Sequence, residues 1–204
     1  MRTLVLAALL LAPVGTPAHE RAGLVDLQSV SPTLQLDLRY ATKRNLTGDR
    51  LPGYCHPWAM MRRSAARDLA RVQRRLRRRG LGLKILDAYR PARASRALVR
   101  WARRTGRDHL VGTYIAKRSR HNLGSAVDLT LVRRKDGRQL SMGTRYDHLG
   151  PRANTLNARG RVLRNRLTLK RAMERFGFTN YRREWWHFEH RVRGVKYLDL
   201  SLGC

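Results

Sequence analysis

Between Ser64 and about Arg79 the apolar residues Ala65, Leu69, Val72 and Leu76 recur every three or four positions, and arginine fills the other faces. That period predicts an amphipathic helix lying on a core, with Gly80 as its stop. Residues 34–40, LQLDLRY, alternate instead: Leu34, Leu36, Leu38 and Tyr40 share one side, which predicts a half-buried strand before the turn-forming stretch ATKRNLTGDRLPGYC. In LGLKILDAYRP, Leu83, Ile85 and Asp87 oppose Lys84 and Leu86, a strand pattern that gives way to a loop at Arg90-Pro91. Pro91 suits the start of a helix that reaches about Arg104 and buries Leu98, Trp101 and Ala102. Residues 125–133, SAVDLTLVR, put Val127, Leu129 and Leu131 on one face of a strand and Ala126, Asp128 and Thr130 on the other. A helix is predicted from about Val162 to Phe176, stopped by Gly177, and FTNYRREWWHFEH after it reads as an aromatic-rich strand or extended segment. Helices and strands alternate irregularly, so the expected architecture is α+β: a single domain with a central antiparallel sheet and helices packed on it.

The N-terminus, MRTLVLAALLLAPVGTPA, has one positive residue, an apolar run from Leu4 to Leu11 and a small-residue ending. This is the pattern of a signal peptide over residues 1–18, and the run is shorter than the roughly 18 apolar residues of a spanning helix, so no transmembrane anchor is expected. Residues 19–204 then form one domain, exported to the periplasm or cell envelope. Such a setting favours pairing of the two cysteines, Cys55 and Cys204, in a disulfide.

Charge changes the picture more than length does. Lysine and arginine number 44 against 14 acids, a formal charge of +30, which implies electrostatic association with anionic cell-envelope polymers. The arginines are spread along the chain without interleaved aromatics, and no nucleic-acid motif is present, so no specific nucleic-acid partner is expected.

Against that background the acids stand out. His121, in a loop, and Asp128, on the polar face of the next strand, could converge on one metal ion if Gly124 turns the chain. His187 in REWWHFEH offers a third ligand, and Glu184, three residues earlier, a general base beside a metal-activated water. Arg90, at a strand end, is a fixed cationic fork for a developing oxyanion. His148 and His190 are read as surface or supporting residues, and Trp185-Trp186 as core and pocket wall.

SRHNLGSAVDLTL fits the pattern Ser-x-His-x-x-Gly-x-Ala-x-Asp of the zinc D,D-peptidases of M15 type, and EWWHF fits their Glu-x-x-His motif. Together with LDLRYATKRNLTG, GYC, LDAYRPARA, MGTRYD and RNRLTLKRAMERFGFTNYRREWWHF, the chain resembles their D-alanyl-D-alanine dipeptidase branch, known from vancomycin-resistance operons, over roughly residues 24–190. The resemblance implies a Hedgehog/D,D-peptidase-like fold and one zinc ion per chain on His121, Asp128 and His187. It also implies that Glu184 is the catalytic base and that Arg90 stabilises the tetrahedral transition state. Ser119, Tyr40, Tyr54 and Asp147 would line the substrate pocket, Asp147 meeting the free ammonium of D-Ala-D-Ala. The chain departs from the family at Arg120, Asn122 and Leu123, and at HLGPRANT after Asp147. Two other functions stay open at this point: a D,D-carboxypeptidase trimming peptidoglycan stem peptides, and a basic envelope-binding protein with vestigial activity.

Overall fold

A computed structural model of the chain describes residues 18–204, so the expected leader lies, apart from Ala18, outside the described residues. A one-turn helix α1 (Ala18–Arg21) leads into β1 (Leu24–Asp26) and a second short helix α2 (Leu27–Val30), whose first turn is capped by the Asp26 carboxylate accepting from Ser29 N at 3.2 Å. β2 (Gln35–Leu36), a long turn-rich segment and β3 (Met60–Arg62) precede α3 (Arg63–Arg77). Then come β4 (Leu81–Asp87), α4 (Ala92–Arg104), β5 (Ala126–Arg133), α5 (Gly160–Glu174), β6 (Phe178–Asn180) and β7 (His187–His190).

β1 pairs with β3 in a small antiparallel ribbon, and the other five strands form one sheet in the order β2-β4-β5-β7-β6. The sheet is antiparallel as expected except at its edge, where β2 runs parallel to β4. The α+β reading therefore stands, with one strand reversed. That edge is also where the predicted strand over 34–40 shortens to two residues. Pairing ends as Asp37 N donates to Ile85 O, and a 3-10 turn at Arg39–Ala41 follows. Thr42 Oγ1 and Asn45 Nδ2 both donate to Arg39 O, so polar side chains coil the segment and turn Tyr40 inward.

α3 and α5 cover one face of the sheet. Leu69, Val72 and Leu76 of α3 and Leu169 and Met173 of α5 pack on Leu83, Ile85, Val127, Leu129 and Leu131, all buried. Burial of such side chains stabilises the fold by about 1.5–3 kcal/mol each. The expected face assignment of β5 holds, because its Val127-Leu129-Leu131 side is the one beneath the helices. A second buried cluster is built from Tyr40, Tyr54, Tyr89, Leu98, Leu110 and Ile115, and α4 contributes to it. Trp101 of α4 is only half-buried, with the Arg107 guanidinium 5.3 Å from its ring centroid. Among the described residues no helix is long and apolar enough to cross a membrane.

Cys55 and Cys204 are joined in a disulfide that closes a loop of 149 positions and holds the C-terminal segment against Gly53–His56. Replacing both cysteines by serine should lower the unfolding free energy by on the order of 2–5 kcal/mol. Urea denaturation of the two proteins reads this directly, and an unchanged midpoint would show that the crosslink does not constrain the unfolded chain.

Candidate active site

Strand register assembles the site. Asp128 on β5 lies opposite Asp87 on β4 and opposite His187 on β7, so three strands set these residues in one row across the sheet. An irregularity between Ile85 and Asp87 lets the last residue of β4 join the row. His121 arrives from a 3-10 turn, Arg120–Leu123, immediately before β5. Ser119 caps that turn, its Oγ accepting from His121 N at 3.2 Å, while Asn122 Oδ1 accepts from Ser119 N at 3.0 Å. Gly124 ends it with φ 68°, a left-handed conformation that favours glycine, and a Cβ there would lie 2.4 Å from Leu24 Cδ2, so a larger residue would be strained and would have to displace that side chain.

The result is a tight triangle of donors. His187 Nδ1 is 2.9 Å from Asp128 Oδ1, His121 Nε2 is 3.3 Å from the same oxygen, and the two nitrogens are 3.1 Å apart. Four-coordinate zinc with bonds of ~2.0–2.1 Å spaces its ligands about 3.3 Å apart, so these edges suit such an ion. The outer nitrogens agree: His121 Nδ1 donates to Ala88 O at 2.6 Å, and His187 Nε2 donates to Glu189 Oε1 at 3.2 Å. With those protons placed outside, two lone pairs and a carboxylate face one another, an arrangement that requires positive charge between them. Proton energetics express the same demand. Burial opposes charge on His187, yet hydrogen bonds to Asp128 and Glu189 outweigh it and push the imidazole up to about 10. Burial would likewise raise Asp128, but the two imidazoles hold it well below the usual carboxylate range. The donor set thus fits a metal ion, and His121, Asp128 and His187 are the group that could hold one.

Around the triangle lies a cavity of about 240 Å³ whose lining includes Tyr40, Arg90, Ser119, Asp147, Glu184 and Trp186. Glu184, 7% exposed, is raised to about 7 by burial, with His187 pulling it down and Asp128 pushing it up. Arg90 donates through Nε and Nη2 to Asp87 Oδ2 at 2.9 and 2.8 Å, and Nη2 stands 3.6 Å from Asp128 Oδ2. Its guanidinium also stacks 4.7 Å from the centroid of Tyr40. Tyr40 in turn donates to Asp147 Oδ1 at 3.1 Å, whereas Asp147 Oδ2 is buried without a partner. Burial, with the nearby Asp128 charge, raises the Asp147 carboxyl well above its ordinary range. Its backbone has φ 60°, in the left-handed region that aspartate tolerates better than most residues.

Tyr54 is the exception among the expected pocket residues. It lies behind the cavity, 1% exposed, and its hydroxyl donates to Asp87 Oδ1 at 2.6 Å, so it braces the Asp87–Arg90 pair from the rear. Asp87 itself, Tyr146, Glu189 and Arg166 escaped notice as functional residues. Tyr146 donates to Asp128 Oδ2 at 2.9 Å. Glu189 spans His187 and Arg120, and its spacing of two from His187 along a strand was the available signal. His190 points the other way, to Asp68 on α3 at 3.0 Å, and Trp185 and Trp186 are fully buried wall and core.

Comparison with known proteins agrees with this geometry. The family model described as D-ala-D-ala dipeptidase, of the M15 peptidases, matches residues 20–199. The chain is 31% identical to a D-alanyl-D-alanine dipeptidase of Enterococcus faecium over 81% of its own length and 90% of that protein's. It is 32% identical to one of Enterococcus faecalis, covering 82% and 91%, and 34% identical to one of Escherichia coli K12, covering 81% and 83%. The chain therefore belongs to the D-ala-D-ala dipeptidase family of M15 peptidases.

Proposed function

We propose that this peptidase is a zinc-dependent dipeptidase that hydrolyses D-Ala-D-Ala, or a closely similar D-amino dipeptide, to free amino acids. The observation that carries the reading is the triangle of His121, Asp128 and His187 with Glu184 buried in the same cavity. Bound zinc supplies Lewis acidity, polarising the peptide carbonyl and acidifying water. Glu184, held near neutrality, takes the proton of the attacking water on its carboxylate and passes it to the leaving amine. Arg90 spends Nε and Nη2 on Asp87, which fixes its plane and leaves Nη1 to meet the developing oxyanion. Asp147, with its unpartnered Oδ2, receives the substrate ammonium. Residues 112–116 wall the cavity, and its volume of about 240 Å³ supports a substrate as small as a dipeptide. The signal-like N-terminus and the disulfide support export to the periplasm or envelope, and the charge of +30 supports association with anionic polymers there.

Wild-type protein with zinc should release D-alanine from D-Ala-D-Ala and nothing from L-Ala-L-Ala. Glu184→Ala should keep its zinc and lose about 10²–10⁴-fold in turnover, the range of general acid-base catalysis, whereas His121→Ala should lose metal and turnover together. Equal zinc content in wild type and a His121→Ala, His187→Ala double variant, measured by atomic absorption, would sink the ligand assignment.

Glu184 also makes a metal-free prediction. Its carboxyl is raised from 4.5 to about 7, so between those values the folded chain binds more protons at this site than the unfolded chain. Stability contributed by this group is therefore lost as pH rises through that window. Chelator-treated Glu184→Gln should gain stability relative to wild type from pH 4.5 to pH 7. Parallel denaturation curves at the two pH values would contradict the burial of an ionisable group at this position.

A further inference from the structure

The charges lining the cavity can be matched one by one. Arg90 is held by Asp87, and Arg120 donates to Glu189 Oε2 at 3.2 Å while the other oxygen of Glu189 takes His187. Asp128 serves the two imidazoles and Tyr146. Apart from the base Glu184, two lining residues remain outside this pairing. One is Asp147, with its buried, unpartnered oxygen. The other is Arg118, which among the described residues forms no ion pair and rests instead on Tyr197, its guanidinium 4.3 Å from the ring centroid. An aromatic face holds a cation in place without neutralising it, so the donor fork keeps its full charge.

A small cavity with one unpartnered carboxyl oxygen and one unspent cation is complementary to a zwitterion, whose ammonium favours the ionised form of that carboxyl. We infer that Arg118 binds the terminal carboxylate of the substrate and is a specificity-determining residue of this chain. The inference rests on the dipeptidase reading, in which Asp147 takes the ammonium. Guanidinium matches a carboxylate with two parallel donors, a geometry lysine cannot reproduce. Ser119, next in the chain, lines the same wall; its Oγ accepts from His121 N, which leaves its hydroxyl proton to donate to the same carboxylate. The two ends of the substrate are then read separately. A stem peptide keeps the carboxylate that Arg118 recognises and lacks the free ammonium beside Asp147, so Asp147 discriminates dipeptide from stem and Arg118 discriminates acid from amide.

The test measures binding, uncoupled from turnover. Zinc-loaded Glu184→Gln protein, with and without Arg118→Gln, is titrated calorimetrically with D-Ala-D-Ala and with D-alanyl-D-alaninamide, which lacks the carboxylate. Arg118→Gln should weaken the dipeptide by about tenfold or more, the worth of a charge-assisted hydrogen bond, and leave the amide within twofold. Arg118→Lys should recover part of the loss. Equal weakening of both ligands, no weakening of either, or no binding of the dipeptide to the Glu184→Gln parent would overturn the assignment. If wild type fails to release D-alanine while this discrimination holds, the hydrolytic reading falls and the role of Arg118 stands.

Discussion

A carboxylate in the middle of a buried strand costs several kcal/mol unless its lone pairs and its charge are satisfied. Asp128 is such a group, 2% exposed on the central strand of the sheet. The means of satisfying it come from separate parts of the chain. His187 arrives by strand pairing, His121 by a capped turn, Tyr146 from the segment before α5 and Arg90 from the loop after β4. Removing any of these contacts leaves charge exposed to a low-dielectric interior, so the surroundings of Asp128 are fixed by more contacts than its own orientation needs. The same burial suits the triangle to a cation, because two imidazole nitrogens and a carboxylate oxygen converge there away from water.

The sheet separates this chemistry from the bulk of the core. One face of β5 is apolar and carries the helix layer, which anchors the backbone register that aligns Asp87, Asp128 and His187. On the other face the walls of the cavity come from loops, including Gly112–Ala116 and the segment bearing Asp147. Two of the three candidate metal donors, Asp128 and His187, sit on paired strands, which hold side chains more precisely than loops do, while loops can vary the shape of the pocket. Arg166 of α5 links the two layers. It is 1% exposed and donates to the carbonyls of Met142, Arg152 and Asn154, pinning the segment in which Tyr146 and Asp147 lie.

Local periodicity made α3, α4, α5 and the faces of β5 readable, since each has enough residues for a period to repeat. β2 was legible only as part of a longer alternation, because Leu34, Leu38 and Tyr40 are all buried by turns that a period of two imitates. Its parallel direction depends on where the chain returns to the sheet, which no local pattern encodes. The proposed ligands and the proposed base stood out as motifs, whereas Tyr54 was assigned to the pocket and lies one layer behind it. Asp87, Tyr146 and Glu189 were missed for a common reason: they act on other side chains, Asp87 on Arg90 three positions away, Glu189 on His187 two positions away and Tyr146 on Asp128 across 18. Arg166 was hidden among arginines that sequence alone cannot sort into surface and core.

The scarcity of acids gives the site its meaning. Of 14 in the chain, Asp87, Asp128, Asp147, Glu184 and Glu189 lie in the cavity or directly behind it. A surface of +30 lowers carboxylate pKa values only over distances that salt screens, about 8–10 Å at ordinary ionic strength. Burial acts locally and is screened far less, so Glu184 is raised to about 7 despite the excess of arginine around it. The global charge and the local charge therefore do different work: one can hold the protein to an anionic polymer, the other sets the Glu184 carboxyl near neutrality. The arginines that do enter the cavity are paired with acids in it or directly behind it, except Arg118, and that asymmetry is what suits a basic protein's pocket to the zwitterion proposed above.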